Sequence, residues 1–498
     1  MKKSFLYTSL LLLAISSGCK KYLEKTPDMR TELDSPEKVA ELLTSAYPRA
    51  TYFTFAEAMS DNAEDKGVAS SDLVNAAPWF WRDMEFRDLD SPDFYWQGTY
   101  KAIAAANHAL EAIAQHPGED AYKPYKGEAL LARAYGHFML VTFFSKAYNK
   151  GTAASDPGIP YVTQPEKVVV GKYERKTVAY VYEQIEKDIL EGLPLISNAA
   201  YKGAPKYHFT VAAANAFATR FYLFKKDYAK VLEHANKAFP GGNILPFLRE
   251  VNSVAYRSQE PLVKEAEYTK ATTKANLLLA EANSVWGRSY FSYRYGPGFK
   301  FVQKYLWGDN VTRVSRSDRR GIFGFMLYGR EETIRTPKFR EHFVKTDVNA
   351  TFGDPYVMAP LLTAEEVLFN RAEANIELGN YDAALKDLND YASTRIISND
   401  SNDPNYYPQL FTITEQKIRD FYGTFDLKAG LISSLLDFKR VEFFFEGMRW
   451  FDILRHNLPV VHTTFDGRNS YVLGPNDPRR VIQIPQEAQS AGLELNPR

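Results

Sequence analysis

Lys226-Asp227-Tyr228-Ala229-Lys230-Val231-Leu232 and Gly379-Asn380-Tyr381-Asp382-Ala383-Ala384-Leu385 share one pattern, and the two tyrosines stand 153 residues apart by subtraction. In each, a short polar turn leads to a tyrosine, and an amphipathic run begins there. Apolar residues also precede each turn at helical spacing, so each segment reads as the joint of a helical hairpin. Two such joints in one chain predict a mostly α-helical protein built from helix pairs.

The spacing Gly379-x-Tyr381-x-x-Ala384, with Ala372 seven residues before the glycine, resembles a tetratricopeptide unit. In that motif small residues let paired helices approach closely and the aromatic fills the turn. Working outward, Ser35-Pro36-Glu37 has the cap, first-turn proline and acid of a helix start. Residues 97–115 and 124–148 form a first predicted pair, with Ile103, Leu110 and Ile113 set against Leu130, Leu131, Ala134, Phe138 and Val141. Thr177 caps a third helix in which Val181, Ile185 and Ile189 recur at fourfold spacing, ending near Leu193-Pro194. Residues 209–239 read as two helices broken around Lys225-Lys226-Asp227. Helical signal returns at Thr363, with Glu365 and Glu366 in the first turn. The helical repeats therefore span about 97–239 and 363–391. Residues 60–93 and 240–360 read as irregular, loop-rich insertions, and loops of that length carry function. Length alone suggests about three domains, and the pattern of elements predicts tetratricopeptide-like helix pairs interrupted by irregular stretches.

The amino terminus has the order of an export signal: basic Lys2-Lys3, a mostly apolar Phe5 to Ile15, then small Ser16-Ser17-Gly18. The apolar stretch is too short to span a bilayer as a helix. Cys19 is the single cysteine and follows directly, so Leu13 to Cys19 resembles a lipobox. Cleavage after residue 18 would leave Cys19 acylated at the head of a polar tether over residues 20–34, and multiple acyl chains anchor stably.

Removing Lys2 and Lys3 leaves 59 basic against 61 acidic residues, a balance of −2 that argues against nucleic acid as a partner. No other stretch is apolar enough for a membrane span, and a water-soluble body is expected. With one cysteine, already assigned to lipid, disulfides are excluded and core burial must supply stability.

Several residue sets bear on chemistry. Glu442, Glu446, Arg449, Asp452 and Arg455 lie at helical spacing. Paired carboxylates serve acid–base catalysis, but each acid here has a base three to four positions away, which points to structural ion pairs and to capping of the bend at Gly447. Asp61-Asn62-x-Glu64-Asp65 is dense in oxygen ligands but lacks the spacing of a calcium loop. The 8 histidines are scattered without a zinc-type pair, and no nucleophile elbow, phosphate loop or dinucleotide glycine motif is present. The expectation is a protein without catalytic residues, metal or cofactor. Trp79, Trp81, Tyr290, Tyr293, Tyr295 and Trp307 lie in the two irregular stretches. Flat rings suit the apolar C–H faces of a pyranose, and Arg82, Asp83, Arg294 and Asn310 offer hydrogen bonds to its rim. Trp79, Trp81, Arg82, Tyr290, Tyr293, Tyr295 and Trp307 are the candidate ligand-binding residues.

Lys439-Arg440-Val441-Glu442-Phe443-Phe444-Phe445-Glu446-Gly447-Met448-Arg449-Trp450-Phe451-Asp452-Ile453-Leu454-Arg455 resembles the C-terminal signature of the SusD/RagB lipoproteins. Cys19 to Pro27 is similar to the mature start of that family. Trp96-x-x-x-Tyr100-x-x-Ile103-x-x-x-Asn107 and Gly127-Glu128-Ala129 through Tyr135 resemble its first helix pair. Arg175-x-Thr177-x-x-x-Val181-Tyr182-x-x-Ile185-x-x-Asp188 resembles its third helix, Ala364 to Leu378 its penultimate repeat, and Ile484-Pro485-Gln486-Glu487 with Asn496-Pro497 its tail. The resemblance covers most of the chain. It implies a mostly α, SusD-like α-helical fold in a single domain over residues 35–498, with tetratricopeptide-like helix pairs on one side and the irregular, loop-rich segments on the other. It implies a non-enzymatic protein that captures oligosaccharides, or peptides as in the RagB branch. It also implies a SusC-like TonB-dependent β-barrel as partner and a lipid-anchored place on the outer membrane, facing the cell exterior. One departure is Lys20-Lys21 directly after the cysteine, where surface-exported members often carry acids. The rival reading is a periplasm-facing tetratricopeptide scaffold lipoprotein that binds protein partners.

Overall fold

Ser35 opens the first helix of the computed structural model, which describes residues 33–67, 72–84, 86–166, 171–312 and 321–498. Its hydroxyl accepts from the Lys38 amide at 3.3 Å and Pro36 takes the first turn, as expected. The principal helices are α1 (Pro36–Leu43), α2 (Phe53–Met59), α3 (Leu73–Trp79), α4 (Pro92–Ile113), α5 (Lys123–Phe144), α6 (Val178–Gly192), α7 (Val211–Lys225), α8 (Tyr228–Ala238), α9 (Ala364–Glu377), α10 (Tyr381–Arg395), α11 (Leu427–Glu442) and α12 (Met448–Arg455). The protein is mostly α-helical, in agreement with the sequence. Among the described residues no helix is long and apolar enough to cross a membrane. The export segment 1–18, Cys19 and the tether through residue 32 lie outside the described residues.

The two joints that opened the sequence reading are built alike. After α7, Lys226 takes a left-handed conformation (φ 62°), and the Asp227 amide donates back to the Tyr222 carbonyl at 2.9 Å. After α9, Gly379 takes the same conformation (φ 80°), and the Asn380 amide donates to the Asn375 carbonyl at 2.8 Å. Both are Schellman-type closures, which satisfy the last carbonyls of a helix through one left-handed residue. Tyr228 and Tyr381 then begin α8 and α10 and pack half-buried against the core. α8 lies against α9, so the two hairpins join into one layer. Close approach of α5 and α6 depends on two glycines: a Cβ on Gly127 or on Gly192 would fall 2.9 Å from the carbonyl oxygen of the other. One continuous apolar core runs from Val39 to Leu493 and includes residues of both irregular stretches.

Those stretches are more ordered than their composition suggested. Residues 60–93 hold strand β1 (Glu64–Asp65) and helix α3. Residues 240–360 hold β2 (Asn276–Asn283), β3 (Tyr295–Gly296), β4 (Gly321–Phe323), β5 (Glu341–Lys345) and the first part of β6 (Gly353–Thr363). β6 lies between β2 and β5 in an antiparallel sheet, and β4 pairs with β7 (Ile396–Ser398). β2 is buried over Asn276-Leu277-Leu278-Leu279-Ala280. A strand covered on both faces has no polar–apolar alternation, so the pattern that reveals half-buried strands was absent. Near the C-terminus β8 (Val460–Thr463) and β9 (Ser470–Leu473) form a hairpin.

The ion pairs of the 442–455 segment are structural, but their partners are mostly distant in sequence. Glu442 binds Arg395 at 2.8 and 3.0 Å, Glu446 binds Lys338 at 2.7 Å, Arg449 binds Asp61 at 2.8 and 2.9 Å, and Arg455 binds Glu373 at 2.7 and 2.8 Å. Asp452 alone keeps a local partner, Arg455, beside its bond to Lys439. The first-turn acids of α9 are buried as well: Glu366 forms a two-point pair with Arg220 at 2.5 and 2.6 Å, and Glu365 bridges Arg249 and Arg395. These pairs pin α9, α10 and α11 against residues 220–250.

Candidate ligand-binding site

Strands β1 and β3 join the two irregular stretches. Asp65 lies opposite Tyr295 and Glu64 opposite Gly296. The Arg294 guanidinium grips the Asp65 carboxylate at 2.6 and 2.9 Å, a planar two-point match. Asp65 also accepts the amides of Gly67 at 2.9 Å and Phe465 at 3.1 Å. Burial works against its charge, yet Arg294 and the two amides overcome it and hold the carboxyl below its usual range. The Asn75 side chain pairs with Tyr295 as a strand would, donating to its carbonyl at 2.7 Å and accepting from its amide at 3.1 Å. Glu64 accepts from the amides of Lys300 at 2.9 Å and Phe301 at 3.4 Å, at the head of the helical turn that ends beside Trp307. The acid-dense Asp61–Asp65 segment is thus committed to protein contacts: Asp61 serves Arg440 and Arg449, and the two guanidiniums outweigh burial and hold its carboxyl low.

The candidate aromatics converge here but mostly face one another. Tyr295, Trp79, His462 and Trp81 form a column, with successive ring centroids at 4.5, 4.8 and 4.5 Å and interplanar angles of 27°, 6° and 13°. The imidazole of His462, on β8, contacts the Trp79 carbonyl at 2.7 Å and the Ser60 carbonyl at 2.8 Å, while burial pushes its pKa down. Trp81 donates its indole N–H to Met59 O at 3.1 Å. Tyr290 and Tyr293 flank the buried Trp286, and the Tyr290 hydroxyl donates to Thr336 O at 2.7 Å. The expectation that Trp79, Trp81, Tyr290, Tyr293 and Tyr295 offer open faces is therefore corrected: all five are buried, because two loop segments that close a core need large rings to fill the space between them.

Trp307 is different. It is 48% exposed, with Phe299 edge-on at 5.9 Å. Arg82 is also exposed, its guanidinium 4.5 Å above the half-buried Phe80 ring. Of the other rim candidates, Asp83 pairs with Arg498 at 2.5 Å, Arg294 is taken by Asp65, and Asn310 is buried and donates to Gly321 O at 2.9 Å. Sequence reading missed Phe80, Phe299 and Phe465, the last 60% exposed with its ring seated on Gly67. It also missed His462, whose place in the alternating strand Val460-Val461-His462-Thr463 was the available signal.

No catalytic pair of carboxylates is assembled among these residues. Glu373, Asp452 and His456 lie close enough to suggest a metal site, but Arg455 and Lys439 already supply positive charge to that group.

Residues 21–223 match a family model described as starch-binding and associating with the outer membrane, and residues 363–493 match the SusD family model. The chain belongs to the SusD/RagB family. A SusD superfamily protein of Bacteroides thetaiotaomicron superposes with a TM-score of 0.66 at 17% identity, covering 93% of this chain and 100% of the other. A SusD superfamily protein of Bacteroides vulgatus gives 0.62 at 20% identity, covering 94% and 99%. A SusD-like carbohydrate-binding protein of Bacteroides vulgatus gives 0.58 at 17%, covering 92% and 97%. Among curated proteins none matches. At these identities the structural likeness establishes the SusD fold. The β1–β3 ladder and the Trp79 column are the means by which this SusD-family chain ties its two loop-rich stretches together.

Proposed function

We propose that this SusD-family chain is a non-enzymatic, lipid-anchored protein of the outer membrane that captures oligosaccharides for import through a SusC-like TonB-dependent transporter. The observation that carries the reading is Trp307, a half-exposed indole braced by Phe299 on the loop-rich side where residues 60–93 and 290–307 meet. An exposed, braced indole supplies a flat apolar face, and Arg82 and Lys304 are exposed in the same loop-rich stretches as hydrogen-bond donors. Family membership supports sugar as the ligand class, and peptides are the ligand in the RagB-like alternative. In this reading Cys19 bears the lipid and the protein faces the cell exterior.

Calorimetric titration with a panel of glycans and short peptides tests the ligand class. A glycan that binds the protein and loses affinity in Trp307→Ala supports the reading. A peptide that binds in its place moves the protein to the RagB-like branch. Protease shaving of intact cells tests display: a protected protein would favour the periplasm-facing scaffold.

A further inference from the structure

A cavity of about 640 Å³ lies apart from the loops described above. Its walls are the segment after α5 (Lys146 to Asn149), the α7–α8 joint at Lys226, the end of α12 (Leu454 to Asn457) and residues 476–481. Three of its lining residues, Lys226, Asn457 and Asn476, adopt left-handed conformations with φ of 62°, 51° and 61°. Asn457 and Asn476 lock each other through reciprocal bonds of 3.0 and 2.9 Å, so that wall is preorganised.

The charges around the cavity do not cancel. Asp156 is neutralised by Lys146 at 2.8 Å and Asp477 by Arg479 at 2.7 Å. Glu373 and Asp452 are balanced by Arg455 and Lys439. Two cations are left over. The Arg480 side chain is buried and donates to the backbone carbonyls of Gly474, Ile453, Leu458 and Leu473; the carboxylate that acts on it, Asp477, is shared with Arg479, which it contacts directly. Lys226 has no carboxylate partner among the described residues, and its neighbour Asp227 is occupied in capping α8. The equivalent joint after α9 uses Gly379, the residue that tolerates this backbone best. At Lys226 the chain instead holds a strained lysine whose side chain lines the cavity. Carbonyls satisfy the hydrogen bonds of the buried Arg480 guanidinium but not its charge, and the exposed Lys226 ammonium adds a second positive charge at the mouth of the cavity, so an anion there is favoured. Half-buried Tyr148 and His456 add polar groups, and the volume exceeds that of a bare ion.

We propose that this cavity is a second binding site, for the carboxylate of a small hydroxylated or peptidic solute, with Lys226 as its direct contact. Titration of the purified protein with D-glucuronate, D-glucose, glycylglycine and glycylglycine amide tests it. At least one of the two carboxylates is expected to bind, more weakly at high salt, while glucose and the amide do not. Glucuronate binding without glycylglycine binding identifies a sugar acid as the source; the reverse identifies a peptide terminus. Lys226→Asn, which keeps a residue tolerant of the left-handed backbone, is expected to weaken binding by about tenfold, the loss of one charge-assisted contact. Lys187→Asn on the exposed face of α6 is expected to leave it unchanged. Neither carboxylate binding at millimolar concentration, equal binding of the neutral partners, or unaltered affinity in a folded Lys226→Asn variant overturns the proposal. Trp307→Ala leaves this site intact, which separates it from the loop-side site.

Discussion

The Glu57 carboxylate on α2 accepts a 2.7 Å hydrogen bond from the Gly447 amide, tying α2 to the bend between α11 and α12. Burial raises the Glu57 pKa from 4.5 to about 7, against the pull of Gly447 and Asn62. A folded-state pKa above the unfolded one means that the native protein holds this proton more tightly. Its stabilising contribution is complete below pH 4.5 and is lost as pH rises through about 7. The span corresponds to about 3 kcal/mol. Glu57→Gln mimics the protonated acid, so its thermal unfolding midpoint is expected to fall less than that of the parent across this window. Parallel pH profiles for the two proteins would remove Glu57 as the cause.

Trp307 and Trp79 are expected to separate binding from folding. Trp307→Ala removes an exposed ring and should leave stability within about 1 kcal/mol while weakening glycan binding about tenfold or more. Trp79 is fully buried between Tyr295 and His462, so Trp79→Ala should cost about 3–5 kcal/mol. Chemical denaturation together with titration reads both. A stable Trp79→Ala protein that loses ligand would place Trp79 in the site.

Gly447 has φ 68°, and a Cβ there would lie 2.9 Å from the Ala56 Cβ. Gly447→Ala combines left-handed strain with a clash against α2, for an expected loss of about 2 kcal/mol or more. Alanine at Gly379 (φ 80°), where nothing lies within 4 Å, should cost less. Equal losses at the two positions would argue that only the backbone angle matters.

Arg395 is fully buried between Glu442 and Glu365. Arg395→Met strips the buried Glu442 of its ion-pair partner, while Glu365 keeps Arg249, and should cost about 3–5 kcal/mol. Adding Glu442→Gln should recover part of that loss, because the two sites share one network. Additive losses in the double variant would show that the pair is not coupled.

The helical half of this molecule was legible because its signals are local. Ser35, Thr177 and Thr363 cap the helices they were expected to cap, and the joints at Lys226 and Gly379 stand where the repeat placed them. Two loop stretches were also singled out that do meet, at the β1–β3 ladder. Their aromatics were harder to read. A tryptophan in a polar segment has the same local pattern whether it faces solvent, like Trp307, or stacks on His462, which follows it by 383 positions in the case of Trp79.

By itself the sequence determined the helix pairs, their joints and the family, since caps, turn residues and 3.6-residue periodicity act over a few neighbours. The tertiary structure alone decided which aromatics stay exposed, which acids meet which arginines, and that Lys226 and Arg480 line one cavity. Those outcomes depend on contacts between residues hundreds of positions apart, such as Asp61 with Arg449. Burial, which makes each such pairing strong or costly, exists only once the chain has closed on itself.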